Sequence, residues 1–169
     1  MSLAALVLAL VTLQRLAELV LAERNTRRLR AQGAHEVGAR HYPLIVVLHG
    51  TWLAGLWYLA VWRGPRPVDV MWLGVFIALQ LLRVWVIAAL GPRWTTRIIV
   101  LPGAPLVKRG PYRLVDHPNY AVVAGEILVL PLAFGLVWYG VALSAVNALV
   151  LGWRIRVENK ALAKLRQIR

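Results

Sequence analysis

Long apolar runs separated by arginine-rich connections dominate this sequence and leave it few ways to fold. Leu3–Ala22, Pro43–Trp62 and Val70–Leu90 each match the roughly 20 residues a helix needs to cross a bilayer's hydrocarbon core. A chain in lipid must satisfy its backbone groups internally, which favours helices. Pro43 falls near a first helical turn, where proline costs least, and Gly91-Pro92 ends the third run. A fourth and a fifth segment share Tyr120–Val157. Leu130-Pro131 and Phe134-Gly135 predict a tight turn near residues 131–139, making these two a helical hairpin. The reading is an all-α, polytopic integral membrane protein with five transmembrane helices in one domain. Composition agrees: 60% of the 169 residues are hydrophobic, against roughly 45–50% in soluble domains.

The charge follows the same plan. Arg24, Arg27, Arg28, Arg30 and Arg40 separate the first two helices, and only Arg63 and Arg66 the next two. Arg93, Arg97, Lys108, Arg109 and Arg113 follow the third helix, the 131–139 turn has none, and residues 154–169 carry six more. By the positive-inside rule the N-terminus lies outside and the C-terminus in the cytoplasm, most simply of a bacterial inner membrane. An odd number of spans gives the same orientation. Trp62, Trp72, Trp94, Trp138 and Trp153 fall near helix ends, as an interfacial belt requires; Trp52, Trp57 and Trp85 read as core. The net charge of +13 points to anionic lipid headgroups rather than nucleic acid. The N-terminal run lacks a basic leader and a small-residue cleavage site, so it reads as a retained helix. Without cysteine, disulfides and thiolate chemistry are excluded, and no metal site is expected.

Several polar residues interrupt the apolar pattern. Arg15, Glu18, Gln80 and Arg83 lie inside predicted spans, where charge is costly and faces protein or water. Arg15 and Glu18 share a helix face, which fits either an internal ion pair or a cavity lining; Arg83 is a candidate to snorkel. Residues 91–118 form a connection long enough to be functional, and its apolar Ile98–Leu101 suits an interface or a cavity wall. Gly110-Pro111 and then His117-Pro118-Asn119-Tyr120 precede a helix, a natural place for an anionic group. Glu126 sits in an otherwise apolar run. Arg154 and Glu158 share a helix face, which fits either a surface ion pair worth about 0.3–0.5 kcal/mol or a ligand site.

Taken in order, Gly110-Pro111-Tyr112-Arg113, His117-Pro118-Asn119-Tyr120, Glu126 and Arg154…Glu158-Asn159…Leu162 resemble the isoprenylcysteine carboxyl methyltransferase family of membrane enzymes. Gln14-Arg15-Leu16…Glu18-Leu19 and His41-Tyr42-Pro43 resemble a bacterial branch associated with O-methylation of alkylpyrones or alkylresorcinols. The resemblance implies S-adenosylmethionine as cofactor. Ala104, Pro105, Leu106 and Val107 would lie along it through their backbone, Tyr112 and His117, Pro118, Asn119 and Tyr120 would complete the pocket, and Glu158 would bind it. Residues 91–120 and 154–169 would thus form the cofactor side, with Arg154, the expected catalytic residue, facing the acceptor. Two positions depart from the family's pattern: Asp116 stands where it has arginine, and Asn159 replaces the second glutamate of its late pair.

The leading expectation is an S-adenosylmethionine-dependent O-methyltransferase whose lipophilic acceptor enters from the bilayer. Carboxyl methylation of a prenylated cysteine is the alternative. An NADPH-dependent sterol-type reductase and a lipid-binding scaffold are weaker readings.

Overall fold

The computed structural model describes residues 2–64 and 66–166; Arg169 and the end of the expected basic tail lie outside them. Five helices carry the fold: α1 (Leu3–Ala31), α2 (Tyr42–Trp57), α3 (Val70–Leu90), α4 (Pro118–Ala133) and α5 (Val137–Arg166). α2 widens into a π-helical turn over Tyr58–Trp62. The structure departs from an all-α chain at β1 (His35–Val37) and β2 (Ile98–Val100), which pair antiparallel with Glu36 opposite Ile99. The apolar Ile98–Leu101 stretch is therefore largely a strand.

The ends of the helices follow local chemistry. Asp69 caps α3 by accepting from the N–H groups of Met71 and Trp72, a favoured N-cap interaction. α1 runs nine residues past its predicted end. Residues 23–31 lose apolarity but are rich in good helix formers, and Arg27 pairs with Glu23 one turn back at 2.8 Å. Pro131 lies inside α4 rather than ending it. Proline has no N–H to offer the carbonyl four residues earlier. That carbonyl, of Ile127, takes its hydrogen bond from Trp52 Nε1 at 3.2 Å instead. The chain turns over residues 134–136, and α5 then packs closely on α4. A side chain at Gly140 would stand 3.1 Å from Pro131 Cβ and 3.2 Å from the Leu128 carbonyl.

Among the described residues, four helical stretches have the length and apolarity of a membrane span: Leu3–Ala31, Tyr42–Trp62, Val70–Arg93 and Val137–Ala163. The fifth, α4, has 16 residues, about 24 Å at 1.5 Å per residue, against a core of about 30 Å. It runs antiparallel beside α3: its last residue, Ala133, accepts from the Asp69 N–H at 2.8 Å. Leu8, Trp52, Leu56, Ile127, Leu130 and Phe134 fill the core, while leucines and valines along the helices' outer faces are exposed, as lipid-facing side chains would be.

The arginine-rich segments gather at one end. Asn25 of α1 donates to the carbonyls of Gly91 and Trp94 at 3.2 and 2.8 Å. Glu36 of β1 accepts from Arg30 at 2.5 Å and Arg97 at 2.9 Å. These contacts tie the 91–118 connection to α1 and the strand pair, so the basic end has a structured roof rather than a loose loop. Arg109 donates to the Ala89 carbonyl at 2.6 Å. Gly110, at φ +56, sits where a Cβ would meet Ala89 Cβ at 3.0 Å and Trp85 Nε1 at 3.1 Å.

Candidate functional site

Beneath that roof lies an open cleft of about 220 Å³. Ala104, Pro105, Leu106 and Val107 form one side, with Tyr112, His117, Asn119, Tyr120, Arg154 and Glu158 around the rest. Of the residues expected to bind a cofactor, only Pro118 is outside the lining; it starts α4 and is buried. Asp116 also lines the cleft.

The α4 start and the late part of α5 meet through side chains. The Tyr120 hydroxyl donates to the Glu158 carboxylate and accepts from Arg154 Nε at 2.8 Å. Arg154 also donates to the Thr96 carbonyl at 2.7 Å. Arg154 is only 7% exposed, so the surface ion-pair reading of Arg154 and Glu158 is overturned: the two are linked through Tyr120 inside the protein. His117 stacks on Tyr120 with ring centroids 5.3 Å apart, and its Nε2 lies 3.1 Å from Asn159 Oδ1. Asn159, one of the departures from the family pattern, thus holds the histidine. Burial, with Glu158 nearby as the lesser cause, pushes the Tyr112 phenol well above the usual tyrosine range, so this cleft wall stays neutral.

A second cavity, of about 280 Å³, opens among the helices. Its lining is mostly apolar, from α1, α2, α4 and α5, including Leu16, Ile45, Leu53, Val123 and Leu151. Trp94, Thr95, Asn119, Tyr120 and Arg154 line both cavities and so form the wall between them. Sequence reading placed Trp94 in an interfacial belt, yet it is 2% exposed. Buried between the cavities, its Nε1 and the Asn119 Oδ1 have no hydrogen-bond partner in the protein. The converse correction applies to Trp85, read as core but half exposed.

The polar residues expected inside the spans form one buried cluster. Arg83 donates Nε and Nη2 to the two oxygens of Glu18, both at 2.6 Å, and Nη1 to Glu126 at 3.0 Å. Arg15 bridges the same carboxylates at 2.9 Å each. Gln14 donates to Gln80 and Gln80 to Glu126, each at 2.8 Å. Two cations meet two anions, so the cluster is neutral overall. Arg83 does not snorkel; it is held between α1 and α4. Arg15, Glu18 and Arg83 also line the second cavity, so the ion-pair and cavity readings of Arg15 and Glu18 describe one arrangement.

The profile of the isoprenylcysteine carboxyl methyltransferase (ICMT) family matches residues 72–164. The chain belongs to the ICMT family. That family comprises membrane methyltransferases, and the matched region holds every residue of the cleft's α4–α5 wall. The uncharacterized protein YpbQ of Bacillus subtilis (strain 168) is 40% identical over 160 residues, covering 93% of this chain and 95% of that protein. No solved structure matches the chain. Membership of the ICMT family sets the kind of reaction.

Proposed function

We propose that this ICMT-family chain transfers a methyl group from S-adenosylmethionine to an oxygen of a lipophilic acceptor. The observation that carries this reading is the wall shared by two cavities, one under the basic roof and one among the apolar helices.

The cleft's residues fit the cofactor's chemistry. Glu158 keeps carboxylate lone pairs beyond the one Tyr120 uses, suited to ribose hydroxyls or an α-amino group. Arg93, Arg97 and Lys108 line the same cleft and suit a carboxylate. The backbone from Ala104 to Val107 offers hydrogen bonds to an aromatic base. Asn119 Oδ1 and Trp94 Nε1, buried and unpartnered, are polar atoms of the kind a bound ligand satisfies. When bound, S-adenosylmethionine supplies an electrophilic methyl group on a sulfonium. Tyr120 and Arg154 hold the wall that orients the acceptor, and Arg154 places positive charge where an ionised acceptor oxygen would sit. Such positioning supplies much of the acceleration in a displacement reaction.

The acceptor class is a long-chain phenol or enol such as an alkylresorcinol or alkylpyrone, its tail among α1, α2 and α5. The carboxylate of a prenylated cysteine is the second reading; the family's own name favours it. Five crossings, α4–α5 as a returning pair, an external N-terminus and a cytoplasmic C-terminus complete the proposal. Its support is that the basic segments gather at one end while Arg63 and Arg66 follow the opposite end of α2. Anionic headgroups would sit against that basic end.

Purified protein, incubated with labelled S-adenosylmethionine and an alkylpyrone, an alkylresorcinol and a farnesylcysteine analogue in parallel, should methylate one of the first two fastest. Fastest transfer to the farnesylcysteine analogue would favour the second reading. No transfer by protein that binds the cofactor would overturn the proposed acceptor class.

A further inference from the structure

The apolar cavity has polar residues in its lining besides those of the shared wall. His49 of α2 and Asn147 of α5 both line it. His49 Nδ1 lies 2.8 Å from the Ile45 carbonyl. A carbonyl cannot donate, so Nδ1 carries the proton and, in the neutral ring, Nε2 carries a lone pair. Asn147 is 2% exposed in an apolar stretch of α5. Among the described residues, no protein group engages the Asn147 amide or His49 Nε2. A buried amide without a partner is uncommon in a folded protein, and the cavity in front of it is the place where one would bind.

Helix geometry sets the depth of this pair. Tyr42 and Arg154 both meet Thr96, one through its hydroxyl at 3.2 Å and the other through its carbonyl at 2.7 Å. His49 is seven residues along α2 from Tyr42, and Asn147 seven residues before Arg154 on α5. Each therefore lies two turns, about 10 Å, below the wall that separates the cavities. The two helices run in opposite directions, and both residues line the one cavity. Of the other polar residues there, Arg15 and Arg83 each pair with both Glu18 and Glu126, leaving Arg15 Nε without a partner, and the Thr12 hydroxyl bonds the Leu8 carbonyl and Trp57 Nε1.

We infer that His49 and Asn147 form a second acceptor subsite that takes a hydroxyl group roughly 10 Å from the methylated oxygen. A hydroxyl donates to His49 Nε2 while accepting from the Asn147 amide, matching both open positions. The inference rests on the cavity being the acceptor's, and it adds that the natural acceptor is a lipophile oxygenated along its chain rather than a plain hydrocarbon tail.

The test uses two probes: a 4-hydroxy-2-pyrone with an unbranched pentadecyl chain, and the same compound hydroxylated on the fifth chain carbon. Binding of each is measured by calorimetry on the detergent-solubilised full chain saturated with S-adenosylhomocysteine. The hydroxylated probe should bind about 5–10-fold tighter, the worth of one well-made hydrogen bond pair. In Asn147→Leu and in His49→Phe the ratio should fall to about one, with S-adenosylhomocysteine binding retained. Equal affinities in the wild type, a ratio unmoved by either variant, or binding of neither probe would overturn the subsite. The wild-type comparison decides even if a variant fails to fold. In a parallel incubation with S-adenosylmethionine in place of S-adenosylhomocysteine, no methyl transfer to a hydroxylated probe that binds preferentially would keep the subsite and sink the methyltransferase reading. Methylation of both probes with equal affinities would do the reverse.

Discussion

Arg154 Nε donates to the Tyr120 hydroxyl at 2.8 Å, and this contact joins the start of α4 to the late part of α5 in the wall between the two cavities. Because that hydroxyl also donates to Glu158, one oxygen positions a cation that lines both cavities and an anion that lines the cleft under the basic roof.

Tyr120→Phe removes that oxygen while keeping the ring against His117. Arg154 retains the Thr96 carbonyl, but Glu158 loses a donor. Hydrogen bonds to charged groups contribute about 1.5–3 kcal/mol, so affinity for S-adenosylhomocysteine should fall at least about tenfold, with a smaller change in thermal stability. Calorimetry in mild detergent reads the first and a melting curve without ligand the second. Unchanged affinity would mean that Glu158 is positioned without Tyr120.

Arg83→Met strands the carboxylates of Glu18 and Glu126 near one another with Arg15 alone between them. Removing one partner of a buried ion pair typically costs about 3–5 kcal/mol. Adding Glu126→Gln should recover part of that loss. Unfolding midpoints of the two single variants and the double variant measure it, and purely additive losses would show that the cluster does not act as a unit.

Tyr112 gives a pH signature. Burial raises its folded-state value above the ordinary 10.0, so folding favours the protonated phenol. The associated stability is fully present below about pH 10 and is lost as pH rises beyond it. Tyr112→Phe should therefore flatten the alkaline decline in the unfolding midpoint. An equally steep decline in the variant would show that Tyr112 is not desolvated.

Much of this was legible in the sequence where one stretch of chain decides the outcome. α3 begins and ends where predicted because Asp69 caps it and Gly91-Pro92 stops it. α1 runs longer because apolarity marks the lipid boundary, whereas helix propensity marks the helix end. Pro131 reads as a breaker only until Trp52, 75 residues away on the observed hydrogen bond, satisfies the Ile127 carbonyl. β1 and β2 are three residues each and pair across α2 and α3, so neither carries a local signal. The cleft residues were found through an ordered motif. Trp94 and Thr95 were not, because what distinguishes them is lying between two cavities. Glu18 and Arg83 each read as an intramembrane charge, but their partnership spans 65 positions and appears only when α1 packs on α3.

Glu158 is proposed to belong to an S-adenosylmethionine pocket. Calorimetric titration of the wild-type chain and of Glu158→Gln with S-adenosylhomocysteine tests it most directly. Saturable one-site binding by the wild type, weakened at least about tenfold in the variant, is the predicted result. No binding by the folded wild-type protein, or equal affinity in the two, would contradict it.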